Sequence, residues 1–457
     1  MELTSFSATT LARFIRTNLV SSVAVVDAHL ARLEAANPKL NAVVQLQAEA
    51  ARQQARAADE AVSRGERLGP LHGVPITLKD SLDIAGMVST WGTMGRADFT
   101  PEHDATVVAR LRTAGAIILG KTNTPEFTLA GITDNDVYGR TNNPYDVERS
   151  PAGSSGGAGA ILAAGGSALD LGSDTGGSIR MPSHYCGIAG IKPTSGRVPR
   201  TGHAISFDVG ALDAFTQIGP MARHVEDLSL TLSIIAGPDG HDPAVVPAPL
   251  GDPQDVSVKD LRVAFYTDNG IKSPSPDTAS TVRAAVNVLA DHGVSVSENR
   301  PQCVSDAERL WYSLYLADGG AWIRRLIHAA GTERLSSALD WMQTAQPVSL
   351  TEFTQEMSRW NVYRSEMLAF MEPYDVLLCP VSATPATRHN DSDGPDFTYT
   401  FAHNLTGWPG AVVRCGTSAE ELPIGVQIVA RPWREDVALA VAQYLETNLG
   451  GWQSPSL

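Results

Sequence analysis

The sequence predicts an α/β fold: a mixed central sheet covered by helices on both faces. Two observations carry that prediction. From residue 70 onward, short apolar runs alternate with helical stretches, as strands and helices do when they follow one another in a layered fold. The chain has 457 residues, 43% of them apolar and 19% charged, so a sizeable core can form and disorder is not expected.

Residues 1–65 read as helices. The stretch VSSVAVVDAHLARLEAANPKLNAVV carries apolar residues at helical spacing, and AEAARQQARAADEAVSRGE is rich in good helix formers. VPITL (74–78) is the first strand candidate. DATVVARLRTAG (104–115) reads as a helix with Asp104 as its N-cap, and AIIL (116–119) as a strand. SSGGAGAILAAGG (154–166) suggests a helix closed by Gly165 and Gly166. SALDLGS (167–173) is a strand running into SDTGGSIRMPS. Later strand candidates are LRVAFYT (261–267), YDVLLCPVS (374–382), AVVRCG (411–416) and PIGVQIVA (423–430), and REDVALAVAQYLETNL closes the chain as an amphipathic helix. The Pro/Gly/Asp-rich stretch at 237–255 reads as a long surface loop. There is no internal repeat. Segments with candidate site residues interleave with the strands, so residues 1–457 read as one α/β domain.

Several function classes are disfavoured. The 35 Lys and Arg against 50 Asp and Glu give a net charge of −15. Nucleic acid and anionic membrane both need a cationic face, so neither is expected as a partner. The N-terminus lacks a basic region followed by an apolar one, and no run approaches the length of a membrane span. A cytoplasmic protein is expected. Cys186, Cys303, Cys379 and Cys415 are far apart and read as buried thiols. The 11 histidines form no H-E-x-x-H, so no catalytic metal is expected.

Three motifs compete for the chemistry. GAIILGKT (115–122) fits the phosphate-loop pattern, but its intervening residues are the apolar strand itself, where a phosphate cradle needs irregular backbone. GSSGG (153–157) fits G-x-S-x-G with Ser155 in the nucleophile slot, yet a polar loop with Pro144 and Pro151 precedes it in place of a strand. Lys79 ends the apolar run LHGVPITLK. Its position alone suggests a rim residue whose ammonium reaches water; the sharper alternative is a buried base with a depressed pKa. In SDTGGSIRMPS, the glycines before Ser178 could cradle an anion or give a nucleophile and its oxyanion room.

Taken together these pieces resemble the amidase signature family, the Ser–Ser–Lys hydrolases. The resemblance covers most of the chain: LHGVPITLKD, AGAIILGKTNTPEF, SPAGSSGGAGA, LGSDTGGSIRMPSHYCGIAGIKPT, TQIGPMAR, NLTGWPG and LPIGVQIVARP. It implies Ser178 as nucleophile, Lys79 as base and Ser154 as the bridge between them, with a cis peptide bond leading from Gly153 into Ser154. It implies an oxyanion hole from the amides of Thr175, Gly176, Gly177 and Ser178, and a supporting role for Ser155. No cofactor is implied. Asp174 and Arg180 could bind a charged substrate, but an ion pair fixing the turn is the preferred reading, since buried charges are normally paired. The aromatic group Trp311, Tyr312, Tyr315, Trp322 and Trp341 falls in a helical insertion over residues 300–370, where the family varies. It reads either as core packing or as the wall of a substrate pocket.

The implied activity is hydrolysis of a carboxylic amide, with aryl amides or carbamates (urethanes) as candidate substrates. The alternative is the glutaminase-type component of a tRNA-dependent amidotransferase. In that component a glutamine commonly follows Ser-Ile-Arg, whereas Met181 stands here. Pocket residues are expected in 127–150, 200–215, 305–345 and 382–408, and a homodimer is an open possibility.

Overall fold

The computed structural model describes residues 2–209, 215–342, 344–392 and 394–457. The N-terminal segment holds helices α1 (Ala8–Arg16), α2 (Ser22–Leu40) and α3 (Ala48–Ser63). Ser7 and Ser21 cap α1 and α2 by accepting from the N–H of Thr10 and Ala24. The segment is not wholly helical. Strand β1 (Val43–Leu46) lies between α2 and α3, and Asn41 ends α2 in the left-handed conformation. β1 pairs antiparallel with β3 (Ile117–Thr122), which pairs parallel with β2 (Pro75–Lys79).

An eight-stranded mixed sheet forms the body. Its strands are β4 (Leu169–Asp174), β5 (Ala189–Lys192), β6 (Gln217–Ala222), β7 (Arg262–Phe265), β8 (Ser295–Glu298), β9 (Val376–Pro380), β10 (Gly410–Thr417) and β11 (Pro423–Ala430). They run in the order β4-β6-β5-β10-β11-β9-β7-β8. Only the β9–β7 and β7–β8 pairs are parallel. The expected mixed sheet is therefore present, with a three-stranded companion. The two meet where Ala168 N donates to Pro75 O at 3.4 Å and Thr77 N donates to Ser167 Oγ at 2.9 Å.

Helices cover both faces because the strands are apolar on both. Side chains alternate along a strand. Val376 and Leu378 of β9 enter one core with α4 (Thr106–Thr113), α7 (Val225–Ile235), α8 (Pro276–Asp291) and α13 (Glu435–Leu449). Leu377 and Cys379 enter a second core on the opposite face, with α9 (Ala307–Tyr315), α10 (Ala321–Ala329), α11 (Leu350–Met371) and α12 (Phe401–Thr406). Truncating a large apolar residue of either core to alanine costs about 2–5 kcal/mol. The second core is aromatic, and the functional cavity opens beside it.

Asp104 is not the cap of α4. That helix follows Ala105 without a side-chain cap, and Asp104 instead accepts from Ala85 N at 2.8 Å and pairs with Arg112 at 3.0 Å. The helix after the serine pair, α5 (Gly156–Ala163), begins later than expected, which leaves Ser154 and Ser155 ahead of it. α6 (Arg180–Tyr185) follows Ser178. All four cysteines are buried and free. Among the described residues, no helix is long and apolar enough to cross a membrane, and no cluster of His, Cys, Asp and Glu could hold a metal.

Candidate active site

Lys79 is the last residue of β2 and Asp174 the last of β4, so the site forms at two strand ends where the sheets meet. Lys79 is fully buried, which rejects the rim reading. Its Nζ lies 2.7 Å from Ser154 Oγ, 2.9 Å from Ser155 Oγ and 3.0 Å from Ser173 Oγ. Burial holds this amine well below its ordinary pKa, and the negative charges of Asp174 and Asp170 oppose that shift without cancelling it. The Gly153–Ser154 bond is cis.

Ser178 stands at the end of the turn after β4. Ser155 N donates to Ser178 O at 3.3 Å, which ties the Ser154–Ser155 segment to the residue. Ser154, Ser155 and Ser178 are all buried, but Ser178 lines a cavity of about 410 Å³ and the other two do not.

The turn is shaped by what holds its carbonyls. Trp311 Nε1 donates to Thr175 O at 3.1 Å, Thr400 Oγ1 donates to Gly176 O, and Met181 N donates to Gly177 O at 2.7 Å. A trans peptide points its C=O and the following N–H in opposite directions. The N–H groups of Gly176, Gly177 and Ser178 therefore point away from these partners. Among the described residues, no hydrogen bond uses those three N–H groups or that of Thr175. Gly177 has φ +145°, and a Cβ there would lie 2.4 Å from Thr400 Oγ1, so only glycine fits.

Asp174 and Arg180 form the expected internal pair. Arg180 donates to the two carboxylate oxygens at 3.0 and 2.8 Å, and Ile179 N and Asn404 Nδ2 also donate to Asp174. Both residues are fully buried. Burial pushes the Asp174 carboxyl up, but Arg180 and its other donors outweigh that and bring it to about 2. The two decoys are explained as well. GAIILGKT is largely β3, and its Lys121 pairs with Asp80 at 2.5 Å and donates to Ser89 Oγ at 2.6 Å. Ser155, the residue in the elbow slot, faces Lys79 rather than the cavity.

The cavity walls include Trp311, Tyr312, Tyr315, Trp341, Phe397 and Phe401, with Leu129 and Ile132 from the loop after β3. Trp311 stacks on Tyr315 at 4.3 Å and on Phe401 at 4.6 Å. The aromatic group thus divides: Trp322 is buried behind Tyr315 as core, and the other four line the cavity. The pocket segments 127–150, 305–345 and 382–408 all contribute. Residues 200–209 do not line it, and 210–214 lie outside the described residues. Sequence reasoning missed Ser173 and Asp170. Asp170 had one available signal, a lone acid in an otherwise apolar run.

The family description "Amidase" matches residues 24–439. The chain belongs to the amidase family. As an amidase it hydrolyses amides. It is 36% identical to an indoleacetamide hydrolase of Bradyrhizobium diazoefficiens, over 97% of this chain and 87% of the relative. It is also 35% identical to the A component of the glutamyl-tRNA(Gln) amidotransferase of Roseiflexus castenholzii, over 92% of this chain and 91% of that one. In three dimensions the amidase resembles a fatty acid amide hydrolase at TM-score 0.89 and 26% identity, covering 98% of this chain and 86% of the other.

Proposed function

We propose that this amidase cleaves the C–N bond of a neutral, aromatic carboxylic amide, or of the corresponding aryl carbamate, through an acyl-enzyme on Ser178. One observation carries the substrate class. Among the described residues, the cavity that holds Ser178 is walled mainly by aromatic and aliphatic side chains, with Thr128 and Thr175 as further polar ones, and contains no charged one. An arene gains by burial there. The ammonium and carboxylate of glutamine would be desolvated without partners.

The serine cluster supports a proton relay. A serine hydroxyl is a poor nucleophile until a base takes its proton. Lys79, neutral because buried, accepts the proton of Ser154 while Ser154 takes that of Ser178. Ser178 Oγ then bonds to the substrate carbonyl carbon, and the charge on its oxygen meets the free N–H groups of the turn from Thr175 to Ser178. Each well-aimed donor contributes about 3–4 kcal/mol. Collapse breaks the C–N bond, and the relay runs backwards to protonate the departing amine. Water then attacks the ester on Ser178, with Lys79 again taking the proton, and the acid leaves. Ser155 and Ser173 hold the amine in place.

The test is turnover of anilides, arylacetamides, aryl carbamates and glutamine by the purified chain. Arene-bearing substrates should lead. Ser178→Ala and Lys79→Met should each lower kcat on the order of 10⁴-fold or more with the fold intact. Because Lys79 must be neutral, activity should rise with pH through its lowered pKa and fall below it. Turnover retained by Ser178→Ala would refute the site. Glutamine cleavage that appears only with a partner protein would point instead to an amidotransferase component, the reading favoured by the second relative.

A further inference from the structure

Asp170 is a buried acid to which the relay above assigns no role. It lies on β4, fully buried. Its Oδ2 accepts from Thr77 Oγ1 at 2.6 Å and from Thr122 Oγ1 at 3.1 Å. Thr77 is two residues before Lys79, hence on the same face of β2, and Thr122 is the residue paired with Lys79 across β3. The carboxyl is thus anchored on both sides of the lysine stem. Its Oδ1 has no hydrogen-bond partner among the described residues. A buried carboxylate with one oxygen unpaired is costly unless a cation is near.

The other charged or titratable groups around Lys79 are already committed or neutral. Asp174, whose charge acts on Lys79 more than that of Asp170, is fixed by Arg180 and Asn404 and stays ionised. His203 packs nearby with Nδ1 accepting from Ile205 N at 3.0 Å, and burial, with the lysine charge second, pushes it down to about 3, so it stays uncharged. The Lys79 charge also favours the Asp170 carboxylate, by less than burial and its hydrogen bonds move it.

We propose that Asp170 sets the protonation state of Lys79, acting through the lysine without touching substrate. Lys79–NH₃⁺ with Asp170–COO⁻ and Lys79–NH₂ with Asp170–COOH hold the same single proton, and of these two forms the second can start the relay. The ionised Asp170 favours the charged lysine, so it raises the pH at which the amine becomes free. Burial raises the Asp170 carboxyl to about 7, against the hydroxyls of Thr77 and Thr122, so it exchanges near neutral pH.

This inference rests on Lys79 being the base, and the experiment separates the two. The rate at which a fluorophosphonate labels Ser178 is followed by intact mass across pH about 5 to 9. In Asp170→Asn the acid limb should move down by about one pH unit, the order expected for removing one buried charge nearby. Thr77→Val deletes a bond that favours the carboxylate, so it should move the limb the same way by less. It carries the test if Asp170→Asn does not fold. An unmoved limb in variants that still label, or a loss uniform at every pH, overturns the proposal. Lys79→Met labelling at the wild-type rate would instead overturn the assignment of the base.

Discussion

Replacing Arg180 by methionine should destabilise the chain by about 3–5 kcal/mol, because it leaves Asp174 buried without its counter-charge. The magnitude follows from the contacts. Arg180 makes two bonds to Asp174, at 3.0 and 2.8 Å, and further ones to Gln427 Oε1 at 2.7 Å and Thr400 O at 3.0 Å. A hydrogen bond to a charged group contributes about 1.5–3 kcal/mol, so the two to Asp174 alone reach the range. The drop of the Asp174 carboxyl from its ordinary 3.8 to about 2 corresponds to ~2 kcal/mol, the same order. That contribution belongs to a depressed carboxyl. It is fully present above about pH 4 and is lost as pH falls through about 2; without Arg180, burial raises the Asp174 carboxyl, so the cost of Arg180→Met should shrink as pH falls and protonation relieves the unpaired charge. Denaturant unfolding of wild type, Arg180→Met, Asp174→Asn and the double variant gives the measurement. The double variant should cost clearly less than the two single costs together, since it leaves no unpaired charge. A single cost under about 1 kcal/mol, or strict additivity, would refute the view that this pair holds the turn.

Gly177→Ala should lower kcat/KM by about 10²–10³-fold, because its Cβ would collide with Thr400 and shift the N–H donors of the turn. Steady-state kinetics with an unchanged kcat would count against those donors. Trp311→Ala removes the ring that stacks on Tyr315 and Phe401 and the donor to Thr175 O. It should raise KM for aryl amides far more than for small aliphatic amides; an equal change for both classes would deny the aromatic wall its role in selection.

The sequence made long apolar strands such as β9 and β11 legible, because burial on both faces writes itself as an unbroken apolar run. Shorter or mixed strands stayed hidden. β1 is four residues between two strong helices, and only its pairing with β3 reveals it. β6 carries Gly219 and Pro220, which read locally as a turn, and β8 is largely exposed and polar. The structure brings Lys79, Ser154 and Ser155 to bonding distance, and Ser178, whose carbonyl accepts from Ser155 N, lines the cavity. What sequence spacing could not convey is environment. Nothing local shows that Lys79 is sealed from water, that Asp170 lies against the lysine strand, or that Trp322 falls behind the cavity wall while Trp311 forms it.

Lys79 and Asp80 are consecutive, yet they serve opposite sides of one strand end: the lysine meets three serines, the aspartate meets Lys121. A slip of one residue in one direction would hand the serines the Asp80 carboxylate and leave Lys121 opposite Ser81; in the other it would set the Lys79 ammonium against that of Lys121. The pair of charges therefore disfavours either misalignment. It admits one alignment of β2, and that alignment is the one that presents an amine to the hydroxyls.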